Sequence, residues 1–394
     1  MKKLISILLT IVTLLSALAV MPSAGAETSS SEKTTYIPKY LAYSNKYGTV
    51  YLTGKSLVAE SAKGEKVTLV KMQPPECISF YMCGKKVIYK EWYSGEVYSI
   101  GIDGKNKKKI LDAGYCHFLG GYGDDVIFEL EGTTGIYKCD SEGKITKIFD
   151  LGKKRYSWWY GGCNYLFDGK IYFRNPEIRN PEIKKSFVYD LKTKKTRTVK
   201  ISELVIGKNH MYYKDGMKNL IQVDKKGAEK AVARNVGHVC AVNKGATVVY
   251  SKPLIIGDKK YKTFYRKTEG LKTVKLCRAK DIRKKAESIL SNIKKYDIRG
   301  ITKFKITDVV IGRKNAYFSV DFSCYEKEDF GSIILPVNLN TGEIGDAVKY
   351  FVDDEDDYEI MGMEYEDGYI YYETGKSWVE YYEYVPVYGR IKAS

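Results

Sequence analysis

The stretch ISFYMCGKKVIYKEWYSGEVYSIGIDGKNKKKIL, residues 78–111, decides the fold. Ile78 to Met82 reads as one strand and Lys86 to Lys90 as the next. Glu96-Val97-Tyr98-Ser99-Ile100 is a third, Asp103-Gly104 a turn, and Lys108-Lys109-Ile110-Leu111 a fourth. Each run is short, alternating or β-branched, and bounded by Gly, Asp or Asn, as the strands of a meander are. The next unit repeats the pattern: Val126 to Glu129, then Gly135 to Cys139, the turn Glu142-Gly143, and Ile145 to Ile148. Later third strands read as Phe187 to Asp190, Leu220 to Asp224 and Ser332 to Leu335, followed by turns at Lys226-Gly227 and Thr341-Gly342.

The apolar-apolar-aromatic core of the second strand recurs at a spacing of roughly 40 residues, a period typical of propeller blades. It stands as Thr49-Val50-Tyr51, Val87-Ile88-Tyr89, Val126-Ile127-Phe128 and Ile171-Tyr172-Phe173. It returns as Met211-Tyr212-Tyr213, Val248-Val249-Tyr250, Ala316-Tyr317-Phe318 and Ile370-Tyr371-Tyr372. A lone four-stranded sheet cannot bury both faces, whereas blades packed around an axis bury them against one another. The expectation is an all-β single propeller of four-stranded blades over 36–394, eight-bladed, or seven-bladed if a terminal unit is incomplete. Tyr outnumbers Phe 35 to 13; its ring fills inter-blade space while its hydroxyl reaches a polar group. The spacing breaks once, between Tyr250 and Tyr317. There Ile282, Ala286, Ile289, Leu290 and Ile293 follow a 3.6-residue period, predicting a helix near 281–296 within an insertion of about 278–300.

Residues 1–26 read as a signal peptide: Lys2 and Lys3, an apolar run from Leu4 to Met21, and the small-x-small site Ala24-Gly25-Ala26. Residues 27–35 form a polar linker. No second apolar stretch approaches membrane length, so no membrane span is expected after cleavage. The expected location is extracellular, with attachment to the cell wall as one outcome. The full chain has a net charge of +17. Residues 349–394 run against it, with twelve acidic and four basic side chains. A basic exported chain is drawn to anionic polymers, though lysines at strand edges and turns also serve solubility. The expected partners are a surface glycan, an anionic cell-wall polymer or a protein; nucleic acid is not expected of an exported chain.

Eight cysteines are present without a C-x-x-C. Cys77, Cys116, Cys163 and Cys240 precede their strand aromatic at similar offsets, which places them on innermost strands. Equivalent positions on neighbouring blades are too far apart for disulfide geometry, so buried thiols are expected rather than bridges.

Successive strands in a blade are antiparallel. Connections between second and third strands therefore share one face with connections between blades. Trp92-Tyr93 and Trp378 fall in the first kind, and Trp158-Trp159-Tyr160 in the second. The tandem repeat Arg174 to Ile178 and Arg179 to Ile183 lies in another second-to-third connection. Trp92, Tyr93, Trp158, Trp159, Tyr160 and Trp378 are the candidate ligand-binding residues, because loops on a rigid scaffold carry function and aromatic faces stack on sugars or grip proteins. They serve equally well as caps on inter-blade packing. The acidic run at Asp353, Asp354 and Asp356 is a weak calcium candidate, since it lacks the alternating spacing of a calcium loop. No cofactor is expected. Catalytic signatures are absent: there is no G-x-S-x-G, H-E-x-x-H or phosphate loop, and His117, His210 and His238 stand in different units.

The units Val87-Ile88-Tyr89…Val97-Tyr98-Ser99-Ile100-Gly101-Ile102-Asp103-Gly104 and Val126-Ile127-Phe128…Ile136-Tyr137-Lys138-Cys139-Asp140 resemble the Tyr-rich repeats of secreted bacterial propeller domains of unknown function. Those domains are distantly similar to TolB-like and YWTD-type propellers. The tetrad itself is replaced here by Tyr89-Lys90-Glu91-Trp92, and YWTD rings have six blades. The resemblance implies interaction or ligand binding and carries over no catalytic residue. The leading expectation is an exported binding module. A carbohydrate-active hydrolase or lyase with acids at the channel mouth and a structural protein of the cell envelope are the alternatives.

Overall fold

The computed structural model describes residues 33–54, 56–72, 78–91, 94–112, 116–130, 133, 135–150, 164–173, 186–199, 201, 203–207, 209–243, 246–256, 259–292, 301–324, 329–351, 358–377 and 384–393. The chain divides into two units, Met1–Thr34 and Thr35–Ser394, and the second contains the ring. Eight antiparallel meanders follow one another in chain order. Blades 1 to 8 span 42–71, 78–111, 116–150, 164–199, 203–233, 238–278, 301–351 and 358–392, each counted from its innermost strand outward. The protein is an eight-bladed β-propeller. Blades 1 to 7 have the expected four strands; blade 8 has three among the described residues.

The recurring aromatics hold this arrangement together. Tyr51, Tyr89, Phe128, Tyr172, Phe173, Tyr212, Tyr250, Tyr317, Phe318 and Tyr371 are all buried. Burying one such ring contributes about 1.5–3 kcal/mol. Two hydroxyls reach acceptors on adjacent blades: Tyr189 of blade 4 donates to the Ile148 carbonyl of blade 3 (2.9 Å) and Tyr212 of blade 5 to the Ala246 carbonyl of blade 6 (2.9 Å). The turn between third and fourth strands also repeats. Asp140 Oδ1 accepts from the amides of Glu142 and Lys144, and Asn338 Oδ1 from those of Asn340 and Thr341. Gly143 and Gly342 close these two turns at φ of +91° and +75°, where a side chain is strained.

Blades 6 to 8 are taller than the others. Their second strands, Thr247–Ile256, Asn315–Cys324 and Tyr369–Ser377, have 10, 10 and 9 residues. Those of blades 4 and 5, Lys170–Phe173 and Met211–Lys214, have 4 each. The innermost strands of blades 6, 7 and 8 each carry a bulge, at Val239/Ala241, Ile306/Asp308 and Ile360/Gly362. Pairing of the innermost strand is unbroken in blades 1, 2, 4 and 5. Blade 3 has a bulge too, between Phe118 and Gly120. Its purpose is local: Thr35–Tyr36 adds to the inner edge of this strand, and a Cβ on Gly120 would lie 2.2 Å from the Tyr36 carbonyl oxygen. The segment continues to a bridge between Lys39 and Phe80 on blade 2.

Blades 8 and 1 share no strand among the described residues; they meet through side chains and one backbone bond, from the Gly54 amide to the Tyr388 carbonyl (3.3 Å). Arg390 lies over the rings of Tyr51 (4.4 Å) and Tyr369 (4.7 Å) and pairs with Glu60 (2.9 Å). The insertion between blades 6 and 7 contains helix α1 (Ala279–Ser291), which starts and stops earlier than its periodicity suggested. Asp281 sets the start by binding both the amide and the guanidinium of Arg278. Asn292 caps the end, its amide donating to the Ile289 carbonyl (3.1 Å), while Ile293 lies outside the described residues. Ile282, Ala286 and Leu290 are fully buried against blades 6 and 7.

Candidate ligand cleft between blades 6 and 7

The residues singled out from the sequence, Trp92, Tyr93, Trp158, Trp159, Tyr160 and Trp378, lie outside the described residues, as do Asp353, Asp354 and Asp356. The strand ends that flank them are described. They leave Trp92-Tyr93 between the second and third strands of blade 2, Trp378 between those of blade 8, and residues 158–160 between blades 3 and 4. Cys77 and Cys163 are also outside. Cys83, Cys116, Cys139, Cys240 and Cys277 are free thiols, with Cys116 and Cys240 on innermost strands as expected.

Sequence reasoning missed a cleft of about 440 Å³ on the face where second-to-third connections and inter-blade connections emerge. One wall belongs to blade 6. His238, Ser251 and Phe264 stand opposite one another on three successive strands, so their side chains share a face. Cys240 occupies the bulge beside them, and Lys262 is exposed above. The other wall is Phe304 to Val309 of blade 7. Consecutive residues of a regular strand point to opposite faces. Here the bulge at Thr307 interrupts the alternation, which brings Thr307 and Asp308 to the same cleft. The first turn of α1 supplies Lys280, with Arg283 one turn on. Lys262, Lys280, Arg283 and Lys305 are exposed. Arg283 is held in place: its Nε donates to Glu287 (2.7 Å) and its guanidinium stacks 5.1 Å from the Phe304 ring centre.

Two acids adjoin the cleft: Asp308 lines it, and Glu203 of blade 5 pairs with His238. Asp308 accepts from its own residue's successor, the Val309 amide (2.7 Å), and from Met363 of blade 8 (2.7 Å). Burial pushes its carboxyl up to about 6, against the pull of those two amides toward the anion. Glu203 of blade 5 behaves in the opposite way. Burial disfavours its charge, but His238, Lys214 and the Val239 amide together hold it at about 2. His238 Nδ1 is 2.9 Å from Glu203 Oε2, which orients the ring and leaves Nε2 for the cleft.

These acids belong to a wider set that fastens one blade to its neighbour, with Glu203, Asp308 and Glu364 on innermost strands and Glu129 on a second strand. Glu364 of blade 8 accepts from the Ala42 amide of blade 1 (2.9 Å), and Glu129 of blade 3 from Asn164 of blade 4. Glu203 and Asp308 each stand ten residues before the last aromatic of their motif, Tyr213 and Phe318, but Glu129 and Glu364 do not, so no single offset announces all four. They also bear on the hydrolase alternative: each of these acids already has a hydrogen-bonding partner on a neighbouring blade. Two cysteines stand beside histidines in the chain, Cys116 next to His117 and Cys240 two after His238, and neither thiol is activated. Burial pushes the Cys240 thiol up to about 12 and raises that of Cys116. Such thiols stay protonated at neutral pH and are poor nucleophiles. His117 and His210 face carboxylates elsewhere, Glu129 (3.5 Å) and Glu269 (3.2 Å). Among the described residues no group of three or more His, Cys, Asp or Glu is placed to hold a metal, and no helix is long and apolar enough to cross a membrane.

No family model matches the sequence, and no curated protein does. Among solved structures the chain is similar to the β-propeller domain of the trilobed protease from Pyrococcus furiosus, at 10% identity over 92% of this chain and 96% of that one, with a TM-score of 0.43. It is similar to apo AztD from Citrobacter koseri at 12% identity over 91% and 95%, with a TM-score of 0.42. BamB from Moraxella catarrhalis gives 10% identity over 88% and 81%, with a TM-score of 0.33.

Proposed function

We propose that this propeller is an exported binding module that holds an anionic cell-wall polymer or acidic surface glycan against its loop face. The observation that carries the reading is the cleft between blades 6 and 7, with Lys262, Lys280, Arg283 and Lys305 exposed around it. Charges of one sign around a concave opening raise the local concentration of the opposite charge. The height of blades 6 to 8 supports the same reading, because it raises a wall on one side of that face. In this reading Trp92, Tyr93, Trp158, Trp159, Tyr160 and Trp378 add aromatic contacts from neighbouring connections on the same face. The Tyr-rich repeats, similar to those of secreted bacterial propellers, agree with a binding role outside the cell.

The test is adsorption of the protein to purified cell wall and to two soluble polymers, polygalacturonate and polyglycerol phosphate, across a salt series. Raising ionic strength from 0.05 to 0.5 M should weaken attachment by about tenfold or more. Reversing charge at Lys262, Arg283 and Lys305 together (each to Glu) should weaken it to a similar degree at low salt. Attachment indifferent to both changes would sink the proposal, and capture by a single envelope protein instead would favour a protein partner.

A further inference from the structure

The make-up of the cleft is more specific than a basic surface, and the inference drawn from it rests on the binding role proposed above. We infer that the cleft between blades 6 and 7 recognises a single acidic sugar unit, a sugar ring bearing a carboxylate or phosphate group. The acidic group sits at the cationic rim and the ring hydroxyls sit against Asp308 and His238.

Three features of the walls separate this ligand from a bare anion or a neutral sugar. The rim carries Lys262, Lys280, Arg283 and Lys305 from three separate elements. Arg283 is already oriented by Glu287 and Phe304, so little side-chain freedom is lost when it takes an anion. The other polar groups of the walls are different in kind. Each Asp308 oxygen accepts one backbone amide, which leaves a second lone pair on each for a hydroxyl donor. With Nδ1 bound to Glu203, the His238 ring is fixed and offers Nε2. Thr307 adds a hydroxyl. A bare anion would meet repulsion at Asp308, and a neutral sugar would leave the rim unused. The floor is apolar, made by the buried Phe264, Val309 and Val320, and suits the C–H face of a ring. The volume of about 440 Å³ falls in the lower part of the range for small-molecule sites.

Calorimetric titration at fixed salt distinguishes the possibilities, with glucuronate, glucose 6-phosphate, glucose and inorganic phosphate as probes. At least one acidic sugar should bind about tenfold or more tightly than both glucose and inorganic phosphate, a gap of about 1.4 kcal/mol. The glucuronate and glucose 6-phosphate arms show whether carboxylate or phosphate is preferred. Asp308→Asn and the exposed Lys305→Gln should each weaken that probe about threefold to tenfold, with thermal melting confirming that both variants remain folded. Inorganic phosphate binding as tightly as the acidic sugars would overturn the inference in favour of an anion site. So would a glucose affinity equal to theirs, in favour of a neutral-sugar site. Polymer attachment without binding of either acidic sugar would overturn it while leaving the polymer reading intact. Binding of an acidic sugar without polymer attachment would support it and remove the polymer reading.

Discussion

Blades 4 and 5 and blades 6 and 7 grow from the same aromatic motif, yet they make different walls. In blade 4 the second strand is Lys170–Phe173 and stops with its aromatic pair. In blade 6 the equivalent strand continues past Tyr250 through Leu254, Ile255 and Ile256, and Lys259–Thr268 returns alongside it. The innermost strands differ in the same sense. That of blade 4 pairs without interruption, while those of blades 6 and 7 bulge where they face each other. The motif therefore sets the ring, and the extension beyond it sets the place where a ligand fits. A bulge adds a residue without adding a partner, which is how two chemically distinct side chains come to face one cleft.

The largest effect that sharpens this comparison concerns how closely neighbouring blades pack. A Cβ on Gly342 of blade 7 would lie 2.1 Å from the Leu276 carbonyl oxygen of blade 6. The equivalent atom on Gly143 of blade 3 would lie 3.7 Å from the Ile110 carbonyl oxygen of blade 2, an ordinary contact. Both glycines have positive φ. Gly143→Ala should therefore cost about 1–2 kcal/mol from backbone strain alone. Gly342→Ala should cost about 3 kcal/mol or more, since the backbone must also shift. Equal costs in denaturant titrations would mean that blades 6 and 7 pack no more tightly than blades 2 and 3.

A smaller effect depends on pH. The Asp308 carboxyl is raised to about 6 by burial, against about 3.9 in an unfolded chain. Between these values the folded protein binds a proton that the unfolded chain does not, so stability falls as pH rises through about 4 to 6. Above that window the ionised form carries the whole cost, about 1–3 kcal/mol. Asp308→Asn should remove this dependence, leaving wild type the weaker at pH 7 relative to their difference at pH 4. Parallel stability profiles for the two proteins would show that Asp308 titrates normally and that the cleft is wetter than its walls suggest. The smallest effect is at the outer surface of α1. Lys285 pairs with Asp346 (2.8 Å), whose side chain is 94% exposed. Lys285→Ala should cost under about 0.5 kcal/mol. A larger loss would mean that the helix depends on this surface tie rather than on Ile282, Ala286 and Leu290.

The sequence was most legible where one residue type answers one physical need. Each apolar-apolar-aromatic run is a buried second strand, and the turns at Asp103-Gly104, Glu142-Gly143, Lys226-Gly227 and Thr341-Gly342 sit where the third strand meets the fourth. The helix was legible by its buried face, while its ends were set by Asp281 and Asn292, which periodicity does not register. The cleft was not legible. It is assembled from 238–264, 279–283 and 304–320, and its walls depend on two bulges that a strand pattern does not announce.

The chain by itself determined the eight repeats, their strand order within a blade and the aromatic packing between blades, because those follow from local periodicity and burial. Only the tertiary structure decided that His238, Arg283 and Asp308 would share one opening, and that Glu203, Asp308 and Glu364 would fasten one blade to the next. Residues 36, 55 and 322 positions apart meet there only once neighbouring blades have packed. Such contacts cannot be read from one blade's pattern, since each depends on how two separate strands pack in space.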